Sequence, residues 1–146
     1  MKKKFLISSD LSVVQKVSAQ ALAFLKPLAL SDVCRFDLRL CLEEALINAI
    51  KHGNKQKKAA KVHLTVESDK KKVFFVVEDE GCGFDPVKLP DCTQKSNLWK
   101  CRGRGIYLIH QLMDKVDYNS KGNCVRMVKF LKKEDGSRPK RRIYGS

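Results

Sequence analysis

The chain has 146 residues and a formal net charge of +14, with 43% hydrophobic and 32% charged residues. This composition is typical of a folded domain with its own core and excludes a largely disordered chain. Its apolar runs all fall short of the roughly 20 residues that a membrane-spanning helix needs, so we expect no membrane partner.

The cysteine and histidine positions argue against a structural zinc site. The six cysteines include no C-x-x-C pair and no histidine lies near them in a ligand pattern, so we expect free thiols in a reducing compartment. The start of the chain is basic and then briefly apolar, but Asp10 follows too soon for a signal peptide. We therefore expect a cytoplasmic protein.

Much of the positive charge lies in short runs. Lys55–Lys58 and Lys70–Lys72 fit loops, and residues 132–146 fit a basic, flexible tail after a single domain over residues 1–131. Aromatic residues do not interleave these runs, as base stacking would require. We expect no direct nucleic-acid partner, whereas an acidic protein or a polyphosphate is compatible with the charge.

The first third of the chain predicts one strand and two helices. Lys3–Ser8 fits an edge strand, and residues 11–28 fit an amphipathic helix. Ser31–Asp32 can cap a second helix, which runs to His52 and ends at Gly53, because glycine is the usual stop signal.

The second helix carries polar residues in an otherwise apolar pattern. Glu44 and Asn48 are four residues apart and share one face, where they could hold a hydrated divalent cation or position an attacking hydroxyl. Lys51 adds a cation at the end of the helix. Val33 and Phe36 belong to the apolar residues at helical spacing. Taken alone, the Glu44 and Asn48 pair is more typical of a solvated face than of a site.

Two further apolar segments predict a hairpin that ends in an acidic, glycine-rich turn. Lys61–Glu67 alternates as a half-exposed strand does, and Val73–Val77 is continuously apolar, as in a strand buried on both faces. Asp79, Gly81 and Gly83 follow directly. A carboxylate there could accept a hydrogen bond from a flat ligand such as adenine, with glycines allowing close approach; an acidic β-turn explains the motif equally well.

A second pair of glycines opens the last predicted helix. Gly103 and Gly105, with Arg102 and Arg104 beside them, precede an amphipathic segment that runs to about Asp114. The first N–H groups of a helix and its positive dipole end suit an anion. A glycine-rich hinge would have the same sequence.

The order of elements predicts the fold class. Residues 86–102 lack periodicity, which is typical of a functional lid, and residues 116–118 and 124–131 fit two final strands. The resulting order is β-α-α-β-β-lid-α-β-β. It predicts an α+β fold, a two-layer sandwich with a mixed, mostly antiparallel sheet and helices on one face.

Taken together and in this order, three motifs resemble a known family. Glu44-x-x-x-Asn48-Ala49-x-x-His52-Gly53 resembles the N box of the Bergerat ATP-binding fold, whose members include gyrase-type ATPases, Hsp90, histidine kinases and MutL. The Asp-x-Gly-x-Gly and Gly-x-Gly segments resemble its two glycine boxes. Within that superfamily the chain is most similar to the small anti-sigma factors with serine protein kinase activity, the RsbW and SpoIIAB type.

The resemblance implies a role for each motif residue. Glu44 would be the general base for a serine or threonine hydroxyl, Asn48 would ligate Mg²⁺ that bridges the ATP phosphates, and Asp79 would accept a hydrogen bond from the adenine amino group. The other implied nucleotide-binding positions are Lys51, His52, Gly81, Gly83, Arg102, Gly103, Arg104, Gly105 and Asn123.

The chain departs from the family pattern at two of these positions. Asn123 and Cys124 stand where relatives often have threonines, so a hydroxyl contact near adenine would be missing or replaced by Asn123. Arg104 stands between the second-box glycines, where a small or apolar residue is common. The positive net charge is also unusual, since many relatives are acidic, and this leaves the identity of the partner open.

The function implied is that of an anti-sigma factor and ATP-dependent serine/threonine protein kinase. It would phosphorylate a STAS-type anti-sigma factor antagonist, sequester a sigma factor, and act as a homodimer. The alternative is a nucleotide-gated binding module of the same fold, with little catalysis.

Overall fold

The computed structural model describes residues 1–81 and 103–131, with side chains from residue 105 onward in the second range. The predicted lid, Gly83, Arg102 and the basic tail lie outside the described residues. The strands are β1 (Lys2–Ser8), β2 (Lys61–Ser68), β3 (Lys72–Asp79), β4 (Lys115–Tyr118) and β5 (Cys124–Phe130). The α-helices are α1 (Val14–Phe24), α2 (Asp32–Asn48) and α3 (Gly103–Leu112).

The five strands form one sheet in the order β1-β2-β3-β5-β4. One row of inward-facing side chains crosses the whole sheet, because Phe5 pairs with Leu64, Leu64 with Val77, Val77 with Val125, and Val125 with Tyr118. The α+β fold is confirmed. All four pairings between described strands are antiparallel, so the expectation of a mixed sheet is corrected for this part of the chain.

In the part of the chain that the structure describes, the helices cover one face of the sheet, although Val128 on the other face of β5 is also buried. In β3, Val73, Phe75 and Val77 are buried, whereas Phe74 and Val76 are partly exposed. The prediction that this strand is buried on both faces is therefore wrong, because helices cover a single face of an antiparallel sheet. On the other face, two cations partly cover the Phe74 ring. Lys72 Nζ lies 5.0 Å and Arg126 Cζ lies 4.8 Å from the centroid of this ring.

Helix α2 is the central element of the helical layer. The Ser31 hydroxyl accepts a hydrogen bond from the Cys34 N–H at 3.1 Å and caps its start, as predicted. Its buried residues, two of them free thiols, face the sheet: Cys34, Asp37, Leu38, Cys41, Leu42, Ala45 and Leu46. Val33 and Phe36, which the periodicity placed with the buried residues, are exposed.

The α-helical geometry of α2 ends four residues earlier than predicted. The chain continues as a π-helical turn, Ala49–Gly53, in which the Asn54 N–H donates to the Ala49 carbonyl at 2.8 Å. Turns of this kind are rare and occur often at functional sites. Within the described residues, none of the helices combines the length and the apolarity needed to cross a membrane.

A buried ion pair connects the sheet to two helices. The Lys129 amine on β5 lies 3.7 Å from the Asp37 carboxylate on α2, and both side chains are almost fully buried. The same amine donates a 2.7 Å hydrogen bond to the carbonyl of Leu112, the last residue of α3. This contact places the end of α3 against α2 and β5.

We expect Lys129→Met to destabilise the fold by about 3–5 kcal/mol, because it removes the cation that lies 3.7 Å from the buried Asp37 carboxylate. Replacing both partners, as Asp37→Leu with Lys129→Met, should recover much of that loss. Urea unfolding measures both values, and Lys115→Met, at an exposed lysine of β4, is the control. A Lys129 variant no less stable than the Lys115 variant would refute a structural role for the pair.

Candidate functional site

The first turn of α3 packs directly against the polar pair on α2. A Cβ atom at Gly105 would lie 2.6 Å from Glu44 Oε2 and 3.3 Å from Asn48 Nδ2. Only glycine permits this approach without displacing the carboxylate. The structure thus brings together the N-box pair and one glycine of the second predicted glycine box.

The end of β3 and the π-helical turn also approach each other closely, as α2 and α3 do at Gly105. A Cβ atom at Gly53 would overlap the Asp79 carboxylate, and one at Gly81 would overlap the Gly53 carbonyl. The Gly81 N–H donates to Asp79 Oδ1 at 2.8 Å. The two glycines therefore leave space for the carboxylate of Asp79, which is 8% exposed.

Between these two contacts lies an open cleft of about 360 Å³, counting space that is open to solvent. Polar groups of Asn48, Asp79 and Asn123 project into a largely apolar lining. The other lining residues are Ala45, Ala49, Val77, Ile106, Ile109, Tyr118, Gly122, Cys124 and Val125. Such a cleft suits a flat, apolar ligand with a few polar edge groups.

The backbone of Asp79 is held by the turn between β4 and β5. The Asp79 N–H donates to the Asn123 carbonyl at 2.9 Å, and Asn123 Nδ2 donates to the Asp79 carbonyl at 2.8 Å. Asn123 Oδ1 in turn accepts from Asn119 Nδ2 at 2.7 Å. Asn123 therefore has a positioning role that the sequence did not indicate, and its predicted contact with a ligand stays a prediction.

The neighbouring glutamates Glu43 and Glu44 have different surroundings. Glu43 Oε2 accepts hydrogen bonds from Ser18 Oγ on α1 at 2.5 Å and from Arg39 Nε at 3.1 Å. Glu44 lies on the other side of α2, against Gly105. The helix thus directs one carboxylate to α1 and the other to the start of α3.

The basic residues that the motifs predicted to bind the nucleotide do not line the cleft in the described part of the chain. Lys51 is exposed and His52 half-buried on the π-helical turn, and neither is among the described residues that line the cleft. Gly103 begins α3. The side chain of Arg104 lies outside the described part of the chain.

Asn54, which directly follows the helix-ending Gly53, has a positioning role that the motifs did not predict. It is 3% exposed. Its Nδ2 donates to Ser9 Oγ and to the Lys61 carbonyl, each at 2.9 Å, and its Oδ1 accepts from the Glu80 N–H at 2.8 Å. This one side chain connects the ends of β1 and β3 with the start of β2. An asparagine directly after a helix-ending glycine was the available signal.

The lining residue Cys124 adds no negative charge to the cleft at neutral pH. Burial and the nearby carboxylates of Glu78 and Asp79 raise the pKa of its thiol, so the protonated form is favoured. A protonated thiol behaves as a small apolar group.

The donor set is compatible with a magnesium ion that is shared with phosphates. Within residues 1–81 and 103–131, histidine, cysteine and acidic side chains form no cluster of three or more that could hold a metal by itself. The Glu44 carboxylate lies beside Gly105, and the neighbouring Asn48 side chain, whose Nδ2 is its atom nearest to Gly105, carries a further oxygen. Mg²⁺ typically takes one or two protein ligands and completes its shell with phosphates and water.

Comparison with known proteins identifies the class. Residues 7–129 match the family model of the histidine kinase-like ATPase domain, and the chain belongs to that family. It is 30% identical over 115 residues to the serine/threonine-protein kinase BtrW of Bordetella bronchiseptica, a match that covers 75% of this chain and 81% of that protein. It is 32% identical over 106 residues to the serine-protein kinase RsbW of Staphylococcus aureus strain RF122, which covers 67% of each chain. The resemblance stated from the motifs is confirmed.

We expect Asn54→Ala to destabilise the fold by about 1–3 kcal/mol for each buried partner that is left without a hydrogen bond. It should also speed hydrogen exchange of the Glu80 amide. Asn54→Asp keeps the acceptor for that amide, so its exchange should stay slow although stability falls. Gln20→Ala, at an exposed position of α1, is the control. Equal protection of Glu80 in the unaltered chain and the alanine variant would contradict the positioning role.

Proposed function

We propose that the chain is an ATP-dependent serine/threonine protein kinase that also works by partner switching. The observation that carries the proposal is the contact of Glu44 and Asn48 with the first turn of α3 at Gly105, next to a cleft that has Asp79 in its wall. A base, a metal ligand and a helix N-terminus within one small region are the parts that phosphoryl transfer needs.

The adenine base would occupy the cleft. Its amino group would donate to the Asp79 carboxylate, and its faces would contact the apolar lining from Val77, Ile106 and Ile109. The N–H groups at the start of α3 would receive the phosphates, since a helix N-terminus favours anions. We also assign phosphate contacts to Gly103 and Gly105 and, as predictions from the resemblance, nucleotide contacts to Lys51, His52, Gly81, Gly83, Arg102, Arg104 and Asn123.

Glu44 would act on the acceptor hydroxyl. As a general base, its carboxylate would take the proton as the hydroxyl oxygen bonds to the γ-phosphorus of ATP and the bond from that phosphorus to the β–γ bridging oxygen breaks, which releases ADP. Asn48, one turn further along α2, would hold the Mg²⁺ whose charge neutralises the transferred phosphoryl group. We assign Glu43 no part in this step, because its carboxylate accepts hydrogen bonds from Ser18 on α1 and from Arg39.

The similarity to proteins named as serine kinases supports this activity. From the RsbW-type resemblance we further propose that the acceptor is a STAS-type anti-sigma factor antagonist, that a sigma factor is the alternative partner, and that the chain acts as a homodimer in the cytoplasm. In this scheme the unphosphorylated antagonist displaces the sigma factor, and phosphorylation releases the antagonist.

Replacing the base tests the catalytic assignment. Glu44→Gln should lower kcat by about 100-fold or more, because general base catalysis contributes roughly 10²–10⁴, while ATP affinity stays within about twofold. Glu43→Gln is the matched control and should retain kcat. The assay follows transfer from labelled ATP to each STAS-type protein of the source genome, expressed and purified singly.

Two outcomes would change the proposal. Normal transfer by the Glu44 variant would show that this residue is not the base. ATP-dependent binding of an antagonist without phosphorylation by the unaltered chain would favour the nucleotide-gated binding module.

Asp79→Asn should weaken ATP binding by about tenfold or more, since a hydrogen bond to a charged group contributes about 1.5–3 kcal/mol. Isothermal titration calorimetry measures the dissociation constant. Glu80→Gln changes the adjacent, exposed carboxylate and should leave it unchanged. An unaltered ATP affinity in the Asp79 variant would remove Asp79 from the adenine site.

A further inference from the structure

Helix α2 has a second apolar surface, opposite to the one that faces the sheet. Val33 is 49% and Phe36 61% exposed, and Leu40 and Ile47 are partly exposed. These residues follow one another at spacings of three, four and seven, so they lie along a single line of the helix. We call them the α2 stripe.

Most of the α2 stripe lies outside the core: Val33 and Phe36 are exposed, and of its four residues Ile47 is the one that also packs against the core. The sheet-facing side of α2 already buries six residues other than Asp37, among them Leu38, Leu42 and Leu46. On the neighbouring helix α1, the exposed positions are polar or small, for example Gln15, Lys16 and Ala19. Contiguous exposed apolar residues among polar ones are typical of interaction surfaces.

Glu44 lies in the same line. It follows Leu40 by four residues and precedes Ile47 by three, so it interrupts the α2 stripe with the one carboxylate that contacts the start of α3 at Gly105. A molecule bound along the α2 stripe would therefore lie next to the Glu44 carboxylate.

We propose that the α2 stripe is the docking surface for the protein that receives the phosphoryl group; this inference rests on the proposed kinase function. The acceptor hydroxyl must come within about 2.6–3.2 Å of the Glu44 carboxylate. The nucleotide cleft lies inside, between α2, β3 and α3. The outer side of α2, where the stripe lies, is a direction from which a protein substrate could reach that carboxylate.

The dimensions and charges indicate what the acceptor presents. Val33 and Ile47 are about 21 Å apart along the axis, from the rise of ~1.5 Å per residue, which suits one apolar helix face of the acceptor. Lys51, exposed beyond Ile47, and the net charge of +14 favour acidic residues around that face. The occupant is thus an acidic protein with an apolar helix face next to its serine or threonine.

The test compares the steady-state kinetics of four variants with those of the unaltered chain, on the antagonist that the unaltered chain phosphorylates. Val33→Ser and Phe36→Ser, singly and combined, should raise KM for the antagonist, by at least tenfold in the double variant. Their kcat and ATP dissociation constant should stay within twofold. Leu6→Ser, at a 67% exposed leucine of β1, should leave all three constants unchanged.

Three results would overturn the inference, and they are distinguishable. If the unaltered chain phosphorylates none of the STAS-type proteins, the proposed function fails and the docking surface with it. If it phosphorylates one and the double variant keeps its KM within twofold, only the docking surface fails. If light scattering shows that the double variant alone loses a subunit, the stripe binds a second copy of this chain and not the acceptor.

Discussion

The site depends on the close approach of the π-helical turn to the end of β3. Neither Gly53 nor Gly81 has space for a side chain, because the Asp79 carboxylate and the Gly53 carbonyl occupy it. The approach sets the position of Asp79 relative to Asn48, since Asn48 immediately precedes the turn. Any residue larger than glycine would separate the helix from the strand and open the cleft wall.

Asn54 maintains this approach against local strain. Directly after it, Lys55 and Gln56 have positive φ values of 51° and 59°, a conformation that is uncommon for residues with a side chain. The Gln56 N–H nevertheless reaches the Ile50 carbonyl at 2.8 Å. The buried hydrogen bonds of the Asn54 side chain offset that strain, and they bind the turn to three strand ends at once.

The sequence predicted those parts of the fold that depend on local patterns. Strand and helix positions followed from periodicity and capping residues, and the pairing of Glu44 with Asn48 followed from their spacing on one helix. The resemblance to a family added the identity of the glycine motifs. The features that the sequence could not predict depend on contacts between segments that are distant along the chain. Asp37 and Lys129 are ordinary charged residues until the fold places them together.

The wrong predictions of burial in β3 and α2 also arose because burial depends on contacts between distant segments. Val73–Val77 is apolar throughout, but which side is buried depends on where the helices lie, and Phe74 is covered by Lys72 and Arg126 instead. In α2, periodicity alone could not separate the stripe from the buried side, because both are apolar. Only burial shows that Val33 and Phe36 face outward.

Asn123 shows how a departure from a family pattern can preserve a site. A hydroxyl was expected to contact the ligand there, yet the longer amide reaches the backbone carbonyl of Asp79, and Asn54 holds the next residue through the Glu80 amide. Asp79 is therefore fixed from both sides before any ligand arrives. A preorganised acceptor loses less conformational entropy on binding, so a rigidly held Asp79 would favour binding even if Asn123 makes no direct contact with the ligand.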